Sequence, residues 1–107
     1  MEISEIKHQI IYYATIKNVD IDLALFIANT ESRFNSEALG DMHIKCWKNG
    51  KPVRARGLFQ ITECYHPTIA DADAFDPQFS ILWSIPKMAD TKLCKQTWTA
   101  CRLYYNS

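Results

Sequence analysis

The stretch Asp20-Ile21-Asp22-Leu23-Ala24-Leu25-Phe26-Ile27-Ala28-Asn29-Thr30-Glu31-Ser32 decides the fold. Asp20 can offer its carboxylate to the orphan amides two or three residues on, so it reads as an N-cap. The helix it opens, Ile21 to Ser32, is apolar nearly all round through Leu23, Ala24, Leu25, Phe26, Ile27 and Ala28. A helix apolar on every side is usually the central, buried one. Glu31 stands at its C-terminal end, where the helix dipole disfavours a negative charge. Such a local conflict marks a candidate functional position.

Upstream, Ile3, Ile6, Ile10 and Tyr13 or Ala14 recur at helical spacing, with Lys7, Gln9 and Lys17 elsewhere on the wheel, and Asn18-Val19 closes that helix. Downstream, Ile44, Cys46 and Trp47 lead into Lys48-Asn49-Gly50-Lys51, with Val53 and Ala55 beyond. Asn-Gly tolerates the positive φ of a tight hairpin turn, so a small two-stranded β-hairpin is expected, with Pro52 limiting pairing as on an edge. From Gly57-Leu58-Phe59-Gln60-Ile61 the chain reads as irregular up to Phe75. Asp76-Pro77 then opens a helix burying Ile81, Leu82 and Ile85, which Pro86 kinks or restarts. Thr97 caps a last helix carrying Trp98, Cys101 and Tyr105. The expected fold is mainly α, of α+β character: a helical bundle around a central buried helix with one small β-hairpin.

The chain has 107 residues, a length that fits one domain over 1–107. Its 12 Lys and Arg balance 12 Asp and Glu, which argues against nucleic acid as a partner. No apolar run approaches the ~20 residues that span a bilayer, and Met1-Glu2-Ile3-Ser4-Glu5 carries no signal-peptide pattern. The four cysteines, Cys46, Cys64, Cys94 and Cys101, show no C-x-x-C spacing, so no metal site is expected. If one helix carried both Cys94 and Cys101, their Cα atoms would lie ~10.5 Å apart. A disulfide tolerates no more than ~7 Å. A break at Thr97 reopens that pairing; buried free thiols are the default expectation.

Glu31 alone is weak evidence, since a helix-end acid is commonly solvated or paired with a neighbour such as Arg33. A constellation changes the odds: Glu31-Ser32-Arg33-Phe34-Asn35, then Gly57-Leu58-Phe59-Gln60-Ile61, then Tyr105-Asn106. On these residues the chain resembles the soluble lytic transglycosylase family, peptidoglycan-cleaving relatives of goose-type lysozyme. That family has a Glu-Ser pair at a helix end followed by an aromatic and an Asn, then Gly-Leu-(Met/Phe)-Gln-Ile, and later Ala-Tyr-Asn. Asp76-Pro77 with Ile81 is similar to its Asp-Pro-x-x-Asn-Ile helix start. The departures are Ser80 in place of Asn, Tyr104 in place of Ala, a longer spacer before Gly57, and an end at Ser107 where the family continues.

The resemblance implies a lysozyme-like fold, no cofactor, and peptidoglycan glycan strands as the partner of a monomer. Action would be on the cell wall, in the periplasm or outside the cell, reached by phage release, in a virion or as part of a larger protein. It implies that Glu31 is the catalytic acid, and that Ser32, Gly57, Phe59, Gln60, Tyr105 and Asn106 bind or border substrate. Each also has a plainer reading. Gly57 suits a turn with positive φ, Gln60 a surface amide, Phe59 and Tyr105 core packing, and Ser32 a helix end.

The chemistry fits Glu31 independently. Protonating a glycosidic oxygen near neutral pH needs a carboxyl whose pKa is raised by an apolar pocket. Ile27, Ala28 and Phe34 are placed to supply one. A hydrolase adds a second carboxylate; Asp41, Glu63 and Asp71 are available but sit in no recognisable motif. By the resemblance, a transglycosylase needs only Glu31, acting as acid and then as base, and forms a 1,6-anhydro product. The rivals are a hydrolytic muramidase on the same fold and an inactive glycan-binding or virion structural module. Trp47 is the best candidate for stacking on a sugar ring, while Trp83 and Trp98 read as core. His8, His43 and His66 receive no role.

Overall fold

The computed structural model describes the backbone of residues 1–48 and 51–106 and the side chains of 1–40 and 53–106. The expected Asn49-Gly50 turn lies outside the described residues, as do the side chains of Asp41, His43, Cys46 and Trp47.

Helix α1 (Ile3–Ile16) buries Ile6, Ile10 and Ala14, one face at helical spacing. It ends at Asn18, which adopts a left-handed φ of 57°. Asp20 then accepts from the amides of Asp22 and Leu23, at 2.9 and 3.4 Å, and so caps α2 (Ile21–Ser32). Within α2, Leu23, Ala24, Ile27 and Ala28 are buried, and the helix packs on α1 and on the last helix of the chain. An apolar circumference does not mean burial all round, however: Ile21 and Phe26 remain more than a third exposed. Phe26 lies beside Tyr104, with ring centroids 5.6 Å apart.

After α2 the chain forms a three-stranded antiparallel sheet in the order β1 (Leu39–Lys48), β2 (Lys51–Arg56), β3 (Ile61–Thr62). The expected hairpin is therefore extended by a third strand. It pairs Ile61 and Thr62 with Arg56 and Ala55, so Pro52 opposes only Trp47 and the missing amide costs no bond to β3.

The stretch expected to be irregular contains a short helix, α3 (Asp71–Ala74). Asp76 accepts from the Gln78 amide at 3.1 Å and opens α4 (Pro77–Met88). This helix neither stops nor restarts at Pro86, which lies within its last turn. Its buried stripe runs through Ser80, Ile81, Ser84, Ile85 and Met88. Leu82, expected in the core, is 46% exposed.

Two further helices follow, α5 (Thr91–Thr97), capped by Asp90, and α6 (Thr99–Asn106). The last helix, expected from a cap at Thr97 and carrying Trp98, begins at Thr99 instead, and Trp98 is extended between α5 and α6 at φ −127° and ψ 128°. The cause is tertiary. Trp98 is buried and its Nε1–H donates to the Phe59 carbonyl oxygen at 2.9 Å, drawing the residue out of helical register. The bend brings the Cα atoms of Cys94 and Cys101 to 5.9 Å, and the two form a buried disulfide. Cys64 is disulfide-bonded as well, so the expectation of free thiols is overturned. The core gathers these buried faces around Leu58 and Phe59. Among the described residues no helix is long and apolar enough to cross a membrane.

Candidate active site

The end of α2 is fixed tightly. Arg33 and Phe34 both adopt left-handed backbone, at φ 54° and 60°. A bulky residue there is unusual and costs of order 1–3 kcal/mol. The reversal is held by the Arg33 amide, which donates to the Asn29 carbonyl oxygen at 2.8 Å. It is also held by the Phe34 ring, which packs on the core with the Lys7 ammonium 4.9 Å from its centroid. From the helix end, the Ser32 hydroxyl donates to the Leu58 carbonyl oxygen at 2.7 Å, with that of Ala28 at 3.1 Å. The two halves of the sequence constellation thus meet through Ser32 and Leu58.

In the second half, Gly57 has φ +78°, and a Cβ placed on it would collide with the Ala74 carbonyl oxygen. The glycine is required for close approach of two backbones as well as for its conformation. Leu58 and Phe59 are fully buried, leaving Gln60 to face outward at φ 54°. Its Nε2 donates to the carbonyl oxygens of Gly57 at 2.8 Å and Ala38 at 3.3 Å, which fixes the amide at the rim of a cleft.

That cleft, about 530 Å³, has Glu31 in its wall. The Glu31 carboxylate is half-buried and accepts a hydrogen bond from the backbone N–H of Ala100, in the first turn of α6. Burial raises its pKa above 4.5, and the Ala100 bond pulls the other way. Burial is the larger effect, so the acid holds its proton to higher pH than an ordinary carboxyl.

The α5–α6 bend forms the side of the cleft beside Glu31, through Gln96, Thr97, Thr99 and Arg102. Gln60 and Thr62 line the cleft too, with Tyr65, His66 and Trp83, and the His66 amide donates to the Thr62 carbonyl oxygen at 3.0 Å. His66 meets Trp83 edge to face, with centroids 4.6 Å apart, while the Lys87 ammonium sits 3.8 Å from the Trp83 centroid and donates to its carbonyl oxygen at 3.1 Å. Burial lowers the His66 pKa, and the charges of Lys87 and Arg56 lower it further. A neutral imidazole can both donate and accept a hydrogen bond.

Beneath the sheet, Arg56 is buried and donates to the Ile69 carbonyl oxygen and to Asp71 Oδ1, both at 2.8 Å. Asp71 is thereby committed to a structural ion pair, and neither it nor Glu63 lines the cleft. Among the described residues, Glu31 is the one carboxylate in the cleft wall, and no group of three or more His, Cys, Asp or Glu is arranged to hold a metal ion.

Of the residues singled out from sequence, the structure brings Glu31 and Gln60 together on the cleft. Ser32, Gly57, Phe59, Tyr105 and Asn106 do not line it. Tyr105 is 43% exposed on the far turns of α6, its ring against Tyr104 and 5.2 Å from the Lys95 ammonium. Sequence reasoning missed Tyr65, His66 and Trp83 on one side and Arg102 on the other. The cluster of rings was visible in composition, but no spacing tied these positions to Glu31.

A half-buried carboxyl with a raised pKa at a helix end, opening on a cleft of amides, hydroxyls and rings, has the equipment for general acid catalysis on a sugar polymer. A model of the transglycosylase SLT domain matches residues 8–107, and the chain belongs to that family. The family acts on the peptidoglycan of the cell wall. No curated protein and no solved structure gives a significant match to the chain.

Proposed function

We propose that residues 1–107 form one catalytic domain, a lytic transglycosylase that cleaves the β-1,4 bond between N-acetylmuramic acid and N-acetylglucosamine. Glu31 donates its proton to the leaving glycosidic oxygen. The resulting carboxylate then takes the proton of the muramic acid C6 hydroxyl, whose oxygen attacks C1. The C1–O bond to the leaving sugar breaks, a C1–O6 bond forms, and the product is a 1,6-anhydro sugar. No water is consumed, and Glu31 ends the cycle protonated.

The observation that carries this reading is Glu31 as the one described carboxylate of the cleft, its pKa raised by burial. Hydrolysis by the usual route calls for two carboxylates. Intramolecular attack replaces the second one by positioning, which can be worth ~7–11 kcal/mol. Gln60, on its fixed loop, and the His66 side of the cleft supply hydrogen-bonding partners for sugar hydroxyls and acetamido groups.

The test is product mass. Digestion of purified sacculi should release muropeptides lighter by one water than hydrolytic products, and Glu31→Gln should release none. Reducing-end products would assign hydrolysis instead. Release by Glu31→Gln at the parent rate would remove the catalytic role.

A further inference from the structure

Among the described residues the cleft wall contains one carboxyl, the half-buried Glu31, and one Lys or Arg side chain, Arg102. Arg102 stands on α6, two residues beyond the Glu31-bound Ala100. Its Nη1 donates to the Lys95 carbonyl oxygen at 2.7 Å and its Nη2 to Thr99 Oγ1 at 2.9 Å. Both acceptors are uncharged. A guanidinium has five N–H donors, so two bonds fix its position and leave donors to spare. Its charge is met by no described carboxylate.

A guanidinium oriented by neutral acceptors, with donors unspent, suits an incoming carboxylate. The substrate class named above carries such groups, and carries them unevenly. N-acetylglucosamine has none. N-acetylmuramic acid bears a lactyl ether at C3, which ends either in a free carboxylate or in an amide to a peptide with carboxylates of its own. A fixed cation in the same cleft as Glu31 therefore has something to distinguish.

Resting on the transglycosylase reading, we propose that Arg102 binds a carboxylate carried by the muramic acid substituent, and so sets a preference for muramyl strands over plain N-acetylglucosamine polymers. The α5–α6 disulfide supports the assignment mechanically. Cys94–Cys101 holds the bend independently, so Arg102 is not needed to keep α5 against α6.

The experiment measures binding with turnover blocked by Glu31→Gln. Three ligands are compared: chito-oligosaccharide, glycan strands stripped of peptide, and strands carrying peptide. Adding Arg102→Gln should weaken binding of the carboxylate-bearing strands by about tenfold or more, and leave chito-oligosaccharide binding unchanged. A loss confined to stripped strands assigns the free lactyl carboxylate, a loss confined to peptide-bearing strands assigns a peptide carboxylate, and a loss on both assigns a position that either carboxylate reaches. Arg102→Lys should recover part of the affinity, since the charge returns without the fork. Without touching Arg102, added salt should weaken the muramyl ligands and spare chito-oligosaccharide. Equal losses on all three ligands, or none on any, would overturn the proposal while leaving the transglycosylase reading in place. Failure of the Glu31→Gln protein to bind any muramyl strand would overturn both.

Discussion

The backbone amide of Ala100 donates to the carboxylate of Glu31, joining the last turn of α2 to the first turn of α6. The bond favours the anion, and burial favours the acid. Burial prevails, and the balance between them sets where Glu31 loses its proton.

Activity should therefore fall as pH rises through the Glu31 pKa, with a midpoint above 4.5 in kcat/KM against pH. A midpoint at or below the ordinary value would contradict the role of burial.

The same shift predicts a pH-dependent stability. Glu31 binds its proton more tightly folded than unfolded, so its ionisation opposes folding as pH rises from about 4.5 through the folded value. Glu31→Gln removes that penalty. It should melt above the parent at neutral pH, and the difference should vanish at pH below 4.5, as thermal denaturation across pH would show.

Trp98→Phe should destabilise the fold by about 1–3 kcal/mol, because it orphans the buried Phe59 carbonyl oxygen. Urea denaturation reads this directly. A loss within error would mean that the indole bond does not hold the α5–α6 bend.

Gly57→Ala should cost about 2–4 kcal/mol, the sum of left-handed strain and overpacking. The new methyl meets the Ala74 carbonyl oxygen, and backbone yields poorly. An unchanged denaturation midpoint would refute the close approach.

Removing the Cys94–Cys101 bridge should cost about 2–4 kcal/mol. Because both cysteines are fully buried, paired serine variants are a cleaner comparison than reductant added to the folded protein.

The path from sequence to structure was clear where the cause was local. α2 runs over the residues its pattern marked, because Asp20 caps it and the chain reverses immediately after Ser32. The positive φ of Gly57 was equally legible. Leu82 was misread because apolar spacing on α4 competes with a buried stripe completed by two small serines, Ser80 and Ser84. A break at Thr97 was legible as an option; that Trp98 is the extended residue was not, because its partner, the Phe59 carbonyl, lies 39 residues away. The far side of the cleft was hidden for the same reason: His66 and Trp83 meet only once β3 and α4 are in place. Glu31 and Gln60 could be found because motif residues cluster in sequence; Arg102 could not, because only folding gives it a neighbour.

Helix ends fray, and α6 lies at the C-terminal end of the described chain. Fraying from Asn106 inward meets Cys101, which is bonded to α5, before it reaches Ala100. The amide that contacts Glu31 is thus shielded from end-opening. Its hydrogen exchange should follow the opening of the whole molecule, while amides beyond Cys101 exchange through local fluctuations. One backbone proton then reports how often the site itself comes apart.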